Sequence, residues 1–378
     1  RTFLVLALES SADDTCAAVV SHSRQILSNV VVKQHDLHEE AGGIQPLVAM
    51  QAHMRNMPGA VRKALIDANV QVADIDGIAF TRGPGLAGCL TVACNAAKTL
   101  AAVHNKPLVG VHHMQAHTLT ALLTSSPPPQ FPFLTLLVSG GHTMIVLATS
   151  LSNFGILAST LDKSVGGAID RVATLLQIKW TDMGPGPALE NFCAEELEDN
   201  GPEYALPIAM RGQLALSFSG LHSAVDRCVT LAGGLENVNR RALARAFQTA
   251  AFAQLEEKLL LALKWCANNN HSIHHVVVSG GVASNMFLRE RQVSVVQDLI
   301  CCTHIFVCRL KICLSKFDSM DLIFPPPALC TDNAVMIAWA SMHRFLAQDH
   351  DDYTISPRSK WSIEELQDSK ASDEIPLT

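Results

Sequence analysis

The chain has 378 residues and a formal net charge of -7, and 48% of its residues are apolar against 17% that are charged. This composition excludes a disordered chain and predicts sizeable buried cores, and the length is enough for two domains that share a cleft. The negative charge excludes a broadly basic surface, so any contact with a nucleic acid has to be a local patch.

Hydropathy and cysteine content exclude further classes of protein. No apolar run of about eighteen residues occurs, so we expect no membrane-spanning segment. The eleven cysteines include no C-x-x-C pair, which argues against a disulfide framework or a zinc ribbon and favours a reducing compartment. The chain starts at Arg1 without a hydrophobic signal core, as expected for a processed or trimmed form whose localisation signal lies elsewhere.

The first predicted element is a hairpin in TFLVLALESSADDTCAAVVS, where an apolar run meets a short acidic segment and then becomes apolar again. The turn of this hairpin would carry Glu9, Asp13 and Asp14. Two interpretations stay open for these carboxylates. They form a functional acidic cluster, or they lie in a solvated turn where aspartates accept local backbone hydrogen bonds.

A helix is predicted around 47–68, followed by the strand IDGIAFT, the glycine loop GPGLAGCL and an alanine-rich helix near 87–103. A glycine loop between a strand and a helix N-terminus predicts an anion site. The reason is that free backbone N–H groups and the positive end of the helix dipole point toward the loop. A phosphate group would fit there.

Common nucleotide-binding motifs do not explain this loop. Gly83, Gly85 and Gly88 match G-x-G-x-x-G, but the acidic residue expected about twenty positions later is missing, and the next one is Asp162. The Walker motif requires Lys and then Ser or Thr after its last glycine, whereas Cys and Leu stand there. Both motifs are therefore excluded.

The strand PLVGV is followed by His112, His113 and His117. A helix here would place His113 and His117 on one face, close enough to bind one metal ion, at the end of a strand where α/β sheets carry ligand groups. The alternative is that they are ordinary polar residues of a helix. The H-E-x-x-H protease motif is excluded because Met114 follows the first histidine.

Two apolar strands end in Ser-Gly-Gly, at 139–141 and at 279–281, after a proline-rich segment SSPPPQFP that we expect to separate two domains. Because glycines have no side chains, their backbone amides can close on a ligand. One such loop is usually a tight turn. Two of them in one chain predict a duplicated nucleotide cleft.

The last motif, ALCTDNAVMIAWASMH, predicts a helix that begins at Thr331 or Asp332. Asp332 would then be the helix N-cap, which is worth about 1 kcal/mol and explains an aspartate at this position. A functional role for its carboxylate is the alternative.

Eight segments of the chain occur in the order seen in the tRNA threonylcarbamoyl transferase family, TsaD and its organellar relatives, which the chain resembles over nearly its whole length. The segments are ESSADDT, HEEAGG, GPGLAG, HHMQAH, LVSGGHT, LSFSGLHSAV, SGGVASN and CTDNAVMIA. GPGLAGCL and VHHMQAH look like the bacterial and mitochondrial branch. The resemblance implies the mitochondrial matrix if the host is a eukaryote, and the cytoplasm otherwise.

The resemblance implies an α/β fold of the actin, Hsp70 and sugar-kinase (ASKHA) type, with two lobes around an interdomain nucleotide cleft. We expect the first lobe to comprise 1–133 and 323–378, and the second lobe 134–322. The family transfers the threonylcarbamoyl group of threonylcarbamoyl-AMP to N6 of the adenosine after the anticodon, position 37, in ANN-decoding tRNAs, forming t6A and releasing AMP. Partners implied are tRNA, a separate synthase that supplies the donor, and a second copy in a homodimer.

The resemblance also implies site residues. His113, His117 and Asp332 would bind one divalent metal ion, iron or zinc, with positions left open as in a catalytic site. Donor-binding residues would be Leu137, Val138, Ser139, Gly140, Gly141, Asp170, Gly186, Glu190 and Asn285. Glu9 or Asp13 is a hypothetical base for the N6 proton.

Three segments depart from the family pattern. G-E-A-F-D-K becomes GGAIDR, with Gly167 and Arg171 in place of a glutamate and a lysine, and Y-P-G-G-P becomes the longer WTDMGPGP. The connection near 297–322 is also longer than in the family and reads as an insertion, so deleting 299–320 should preserve folding. Its cysteines fit no zinc template; they are Cys301, Cys302, Cys308 and Cys313.

Contact with tRNA requires local cations, and clustering in the sequence selects six candidate residues. The alternative is that they are ordinary solvated residues of helices. They are Arg55, Arg62, Lys63, Arg240, Arg241 and Arg245. Two other classes of function stay open: a small-molecule kinase or ATPase of the same fold, and a nonenzymatic nucleotide-binding scaffold. The scaffold would keep the glycines but would not need the two histidines to retain metal.

Overall fold

The structure is a computed structural model that describes residues 2–39, 43–180, 184–195, 204–289 and 320–366. The chain forms two compact units, and their main division, after Pro129, falls in the proline-rich segment. Unit 1 is Arg1–Pro129, Thr149–Gly155 and Thr331–Thr378. Unit 2 is Gln130–Ala148 and Ile156–Cys330.

The described residues contain strands and helices in both units. The strands are β1 Leu4–Glu9, β2 Thr15–Ser21, β3 Ile26–Val32, β4 Gly77–Gly83, β5 Leu108–His112, β6 Phe133–Val138, β7 Thr143–Ala148, β8 Phe154–Ser159, β9 His275–Ser279 and β10 Asp321–Ile323. The helices are α1 His35–Glu39, α2 Pro46–Asp67, α3 Ala87–Val103, α4 His113–Thr124, α5 Val165–Leu175, α6 Pro185–Ala194, α7 Ser219–Leu231, α8 Arg240–Asn268, α9 Pro327–Cys330 and α10 Ala334–Leu346. None of these helices is both long and apolar enough to cross a membrane.

Each unit contains one mixed five-stranded sheet, and the two sheets have the same topology. Their orders are β3-β2-β1-β4-β5 and β8-β7-β6-β9-β10. In both, the first strand pairs antiparallel with the second and parallel with the fourth. The repeated element is therefore a whole sheet, whereas both Ser-Gly-Gly loops, which predicted a duplicated nucleotide cleft, lie in unit 2.

Sequence patterns predict several strands and helices of unit 1 correctly. The first hairpin is β1 and β2, joined by residues 10–14, and the helices predicted at 47–68 and 87–103 are α2 and α3. Strands β1 and β2 are almost entirely buried because helices cover the sheet, so they read as continuous apolar runs. Pro46 occupies the first turn of α2, where its missing N–H costs no hydrogen bond.

The last long helix begins later than predicted. Its N-cap is Asn333, whose side chain accepts a hydrogen bond from the Met336 N–H at 2.9 Å. The interpretation of Asp332 as the N-cap is therefore wrong, and its carboxylate is available for another role.

Most of the proposed insertion, with its four cysteines, lies outside the described residues. Met320, at its end, is 4% exposed and belongs to the apolar core of unit 2. A deletion that includes Met320 would remove a core side chain, so the proposed deletion has to stop before it.

Candidate metal centre and donor-binding loops

His112 begins helix α4 as its N-cap. Its Nδ1 accepts from the backbone N–H groups of Met114 and Gln115, at 3.2 and 3.5 Å, and its Nε2 donates to the Trp361 carbonyl at 3.1 Å. An imidazole that performs the capping task of a serine or aspartate satisfies helix donors that would otherwise lack partners. Of the three histidines, His112 is thus committed to the helix start.

His113 and His117 lie one helical turn apart on α4, and both are buried. The Asp332 Oδ1 atom lies 3.4 Å from the His113 Nε2 and 3.2 Å from the His117 Nε2. Helix α10, which follows Asp332, packs against α4, and this packing brings a carboxylate far along the chain to the histidines. All three residues belong to unit 1.

The Glu9 carboxylate orients the His113 ring. Glu9 ends strand β1, is fully buried, and accepts from the His113 Nδ1–H at 3.1 Å. It also accepts from the Ser11 N–H and from the Thr81 hydroxyl in short hydrogen bonds. Because Nδ1 carries the shared proton, the His113 Nε2 is left facing Asp332, as in histidine ligands held by a carboxylate.

The charges of Glu9, His113, His117 and Asp332 shift one another's pKa values. Burial alone would lower the pKa of His113, but the carboxylates of Asp332 and Glu9 outweigh it and raise the pKa to about 10. At His117 burial prevails and the pKa is lowered. Burial opposes ionisation of Asp332, yet His113 and His117 hold the pKa of its carboxyl well below the usual range. Two carboxylates therefore face one cationic and one neutral imidazole.

His113, His117 and Asp332 fit a bound metal ion. Their ligand atoms all lie within 4.8 Å of one another. A tetrahedral ion with bonds of about 2.1 Å separates its ligands by about 3.4 Å, close to the 3.2 and 3.4 Å found here. Two imidazoles and one carboxylate leave positions open for a substrate oxygen and suit iron or zinc.

Asp13 and Asp14 lie in the turn after β1. Burial and then the Asp332 charge raise the pKa of Asp13. Burial and then Asp13 raise the pKa of Asp14 well above its usual value. With His35 they form a second group whose ligand atoms lie within 4.8 Å of one another. The buried His53 holds this turn, because its Nε2 donates to the Ala12 carbonyl at 3.0 Å.

The GPGLAG loop is filled by the chain itself. The Gly85 N–H donates to the Ser359 carbonyl at 3.2 Å, and the Leu86 N–H donates to the Ser11 carbonyl at 2.8 Å. A Cβ atom at Gly83, whose φ is +154°, would overlap the Arg358 carbonyl. These glycines therefore allow close approach of backbone, and the expectation that the loop presents free N–H groups to a phosphate is wrong for Gly85 and Leu86.

The first Ser-Gly-Gly loop joins β6 to β7 in unit 2. Leu137 and Val138 are buried strand residues, so only their main-chain atoms can contact a ligand. A Cβ atom at Gly140 or Gly141 would meet no atom within 4 Å, so space is open beside both glycines. Ser139 closes the turn, with its N–H donating to the His142 carbonyl at 2.8 Å.

Helix α5 begins against this loop. The Ser164 hydroxyl donates to the Gly140 carbonyl and accepts from the Gly167 N–H, the latter at 3.0 Å. A Cβ atom at Gly166 would lie 2.5 Å from the Ser139 carbonyl oxygen, so only glycine permits this approach. The capping serine was missed by sequence reasoning, although an N-cap serine before a helix is a recognisable signal.

The remaining predicted donor-binding residues also lie in unit 2. Asp170 is on α5, and Gly186 is in the first turn of α6, where added side-chain atoms would meet open space. The Glu190 carboxylate accepts from the Met286 N–H at 2.6 Å, and the neighbouring Asn285 side chain accepts from the Leu288 N–H at 2.9 Å. Glu190 and Asn285 are thus brought together.

The second Ser-Gly-Gly loop lies beside the first. Strands β6 and β9 are parallel neighbours, with Leu137 opposite Ser279. Gly280 has φ +101°, and a Cβ atom there would overlap the Val138 carbonyl. Both loops therefore lie at the carboxyl ends of adjacent strands of one sheet, where α/β folds place ligands.

The arginines of α8 that were selected as tRNA contacts are engaged within unit 2. The Arg241 and Arg245 Nε atoms donate to the carbonyls of Phe192 and Cys193, at 2.9 and 2.7 Å. The Arg240 guanidinium donates to the Gln177 carbonyl at 2.9 Å. On α2, Lys63 is paired with Asp67 at 2.9 Å.

The chain matches a family model described as TsaD: tRNA N6-adenosine threonylcarbamoyltransferase, over residues 25–339. Proteins of that name from Rickettsia bellii and Brucella anthropi are 36% and 37% identical to it over 366 and 369 residues. These alignments cover 96% of this chain and 99% and 95% of the relatives. A probable mitochondrial enzyme of the same name from Arabidopsis thaliana is 35% identical over 382 residues, 96% of this chain and 75% of that protein.

Solved structures share the fold at low identity. Full-length HypF, crystallised in a phosphate- and nucleotide-bound form, superposes with a TM-score of 0.54 at 13% identity, covering 92% of this chain and 56% of HypF. Component A of the Acidaminococcus fermentans (R)-2-hydroxyglutaryl-CoA dehydratase gives 0.50 at 12% identity, covering 91% and 98%. The predicted α/β fold of the ASKHA type is confirmed.

Proposed function

The chain belongs to the TsaD family of tRNA N6-adenosine threonylcarbamoyltransferases, and on this premise we propose its donor, product and site residues. The donor is threonylcarbamoyl-AMP, and the acceptor is N6 of the adenosine at position 37 in ANN-decoding tRNAs. The products are t6A and AMP. The observation that carries this proposal is the group formed by the buried His113 and His117 with the part-buried Asp332, oriented by Glu9, in a chain of this family.

The metal site belongs to unit 1 in this proposal. His113, His117 and Asp332 would hold one iron or zinc ion, which supplies a Lewis acid for a carbonyl or phosphate oxygen of the donor. Glu9 keeps the His113 Nδ1 protonated and its Nε2 directed at the ion. Burial of His113 and His117 would limit the access of water that hydrolyses a reactive acyl phosphate.

Donor binding belongs to unit 2. Residues 137–141 would face the phosphate and carbonyl oxygens of the donor, with the Gly140 and Gly141 N–H groups donating to them, because open space lies beside both glycines. The carboxylates of Asp170 and Glu190 would accept from ribose hydroxyls, and the Asn285 amide would bind the adenine edge. Gly186 leaves room for the flat base.

The transfer is an acyl substitution at the carbamoyl carbon. N6 of the adenosine forms a bond to that carbon, the bond from the carbon to the phosphate oxygen breaks, and AMP leaves with the electron pair. The N6 proton passes to a carboxylate. Asp13 suits this task better than Glu9, because its pKa is raised by burial and by Asp332, whereas the pKa of Glu9 is lowered by His113 despite burial.

Partners and compartment complete the proposal. We propose that a separate synthase supplies the donor, that the chain acts as a homodimer, and that it works in the mitochondrial matrix in a eukaryote or in the cytoplasm of a bacterium. Relatives named from both bacteria and a plant mitochondrion support these compartments.

The test is reconstitution. Purified protein is incubated with unmodified tRNA, threonine, bicarbonate, ATP and the synthase, and the digested tRNA is analysed for t6A by mass spectrometry. We expect t6A in the complete reaction and none with a tRNA that carries guanosine at position 37. If threonylcarbamoyl-AMP accumulates but no t6A forms, the proposal is wrong, and phosphate transfer without tRNA would favour the kinase alternative.

A further inference from the structure

Residues 355–361, which we call the C-terminal strap, are bound to the carboxyl ends of two strands of unit 1. The Arg358 N–H donates to the Arg82 carbonyl at the end of β4, at 2.8 Å. At the end of β5, His112 donates to the Trp361 carbonyl at 3.1 Å, and its ring lies 4.6 Å from the Trp361 ring. Because β5 leads directly into α4, the strap is anchored to the residue that precedes the metal ligand His113.

Two guanidinium groups lie over the Trp361 ring. The Arg82 and Arg358 Cζ atoms are 5.3 and 4.8 Å from the ring centroid. Stacking on an aromatic face holds a guanidinium plane in place while its N–H groups remain able to donate at the edge. A pair of arginines fixed in this way on one indole is a preorganised set of cationic donors.

Much of this donor capacity is unused within the described part of the chain. Each guanidinium has five N–H donors. Arg82 uses its Nε to donate to the Ser356 carbonyl at 3.1 Å, and Arg358 uses one Nη2 donor for the Glu365 carboxylate. The arginines of α8, by contrast, are directed at carbonyls of their own unit.

Further cations accompany the arginines. Lys98 donates to the Ile355 carbonyl at 3.1 Å, and Lys360 is an exposed strap residue. In a chain with net charge -7, such a local group is where a polyanion can bind. Glu365, which pairs with Arg358, is the anion that a phosphate would replace.

We propose that Arg82 and Arg358, stacked on Trp361, bind phosphate groups of the tRNA backbone. A planar guanidinium can donate two hydrogen bonds to the oxygens of one phosphate group. Such contacts bind the RNA backbone independently of its sequence. The contact would hold the RNA at the sheet edge from which His113 emerges. The inference rests on the proposed function in one respect, because it takes tRNA as the substrate.

The test measures the affinity of unmodified tRNA by fluorescence anisotropy at several salt concentrations, for the wild type and for Arg82→Gln and Arg358→Gln. Each substitution should raise Kd roughly three- to tenfold and reduce the slope of log K against log salt by about one. KM for tRNA should rise while kcat at saturating tRNA stays close to that of the wild type. Lys106→Gln, which removes a cation just before β5 whose Nζ donates to the Ala73 carbonyl at 2.9 Å, is the matched control and should change neither quantity.

Glu365→Gln separates an RNA contact from a purely structural ion pair. If Arg358 only holds the strap, Arg358→Gln and Glu365→Gln break the same pair and change tRNA affinity and thermal midpoint in the same direction. If Arg358 binds phosphate, Glu365→Gln removes a competitor and should tighten tRNA binding. Unchanged tRNA affinity in both arginine variants, or weaker binding in Glu365→Gln, would overturn the inference. Because binding is measured without the donor, failure of transfer alone leaves this result intact.

Discussion

Glu9 has three hydrogen-bond partners in a fully buried position, and each of them uses its ionised form. A carboxylate held in this way is a poor proton acceptor, because protonation breaks these bonds, and its pKa is accordingly lowered by His113 despite burial. The hypothesis that Glu9 is the base therefore has less support than a positioning role for Glu9 beside the metal ligand His113.

Glu9→Gln tests this distinction. A glutamine keeps the size of the side chain but removes the charge that favours the Nδ1–H tautomer, so we expect metal affinity to fall about ten- to hundredfold. Metal content after competition with a chelator is the readout. Turnover should recover when excess metal is added. A loss of kcat that persists at full metal occupancy would instead support Glu9 as the base, and Asp13→Asn is the comparison variant.

The sequence alone predicts only part of the group formed by Glu9, His113, His117 and Asp332. The separation of His113 and His117 predicts a shared helix face, and the structure has that helix. Asp332 was predicted as a ligand only from the family resemblance. No local sequence pattern shows that packing of α10 on α4 brings Asp332 to the two histidines. The Thr81 hydroxyl contact to Glu9 depends on the pairing of β1 with β4, which periodicity does not specify.

At the scale of secondary-structure elements, the two Ser-Gly-Gly loops differ in whether their first glycine has room for a side chain. Gly280 has a positive φ and no room for a Cβ atom, whereas Gly140 has open space around it. The same tripeptide thus serves close backbone packing in one loop and leaves space beside the other.

Gly280→Ala should therefore destabilise the protein by roughly 1–3 kcal/mol, because the added methyl group would overlap the Val138 carbonyl in a strained backbone conformation. Gly140→Ala is the matched control, with a change of less than about 1 kcal/mol expected. Denaturant unfolding measures both. Equal loss of stability in the two variants would contradict this account of the loops.

Helix α10 contains a buried histidine whose pKa is lowered to about 4 by burial and then by Arg344. The folded state disfavours the charged form of His343, so the unfolded state binds more protons between pH 4 and 6.5. Its contribution to stability is therefore fully present above about pH 6.5 and is lost as pH falls toward 4. The full loss is roughly 3 kcal/mol for a shift of this size.

His343→Phe should flatten this acid dependence, because phenylalanine cannot take up the proton. The free energy of unfolding is measured from pH 7 to 4.5 in both proteins. His38, His53 and His117 also have pKa values lowered by burial, so the difference between the two proteins is the informative quantity. Parallel pH curves would show that His343 does not contribute.

Periodicity placed α2 and α3 because their apolar faces and flanking signals are local. It placed the N-cap of α10 one or two residues too early, since Thr, Asp and Asn in succession are all acceptable caps and only tertiary contacts select Asn333. It also assigned the loop at 83–88 to a ligand, although residues 11, 358 and 359 fill it.

At the scale of the whole molecule, the fold is shared more widely than the sequence. Both units have the same sheet order, and HypF shares the fold at 13% identity. The fold therefore does not select the chemistry, which depends on the residues placed on it. Composition predicted buried cores, but the sheet repeat was not visible in the sequence, because buried strands require only apolar residues.

The metal ion would join parts of unit 1 that are distant along the chain, since His117 and Asp332 are 215 residues apart. A ligand that binds only the folded state stabilises it by about 2.7 kcal/mol at a hundredfold excess over Kd. We therefore expect zinc or iron to raise the thermal midpoint of chelator-treated protein by roughly 3–10 °C. His117→Ala should show no rise, and His112→Asn, which keeps an N-cap residue, should show the full rise.

The pH dependence of the rise in thermal midpoint on metal addition provides a second test. Without metal, the pKa of His113 is raised, so the stability it contributes is fully present below about pH 6.5 and is lost as pH rises toward 10. The metal needs the deprotonated imidazole and displaces that proton, so its affinity increases with pH over the same range. The rise in thermal midpoint should thus be larger at pH 8.5 than at pH 6.5. An equal rise at both values, or a rise that His117→Ala retains, would place the ion elsewhere in the molecule.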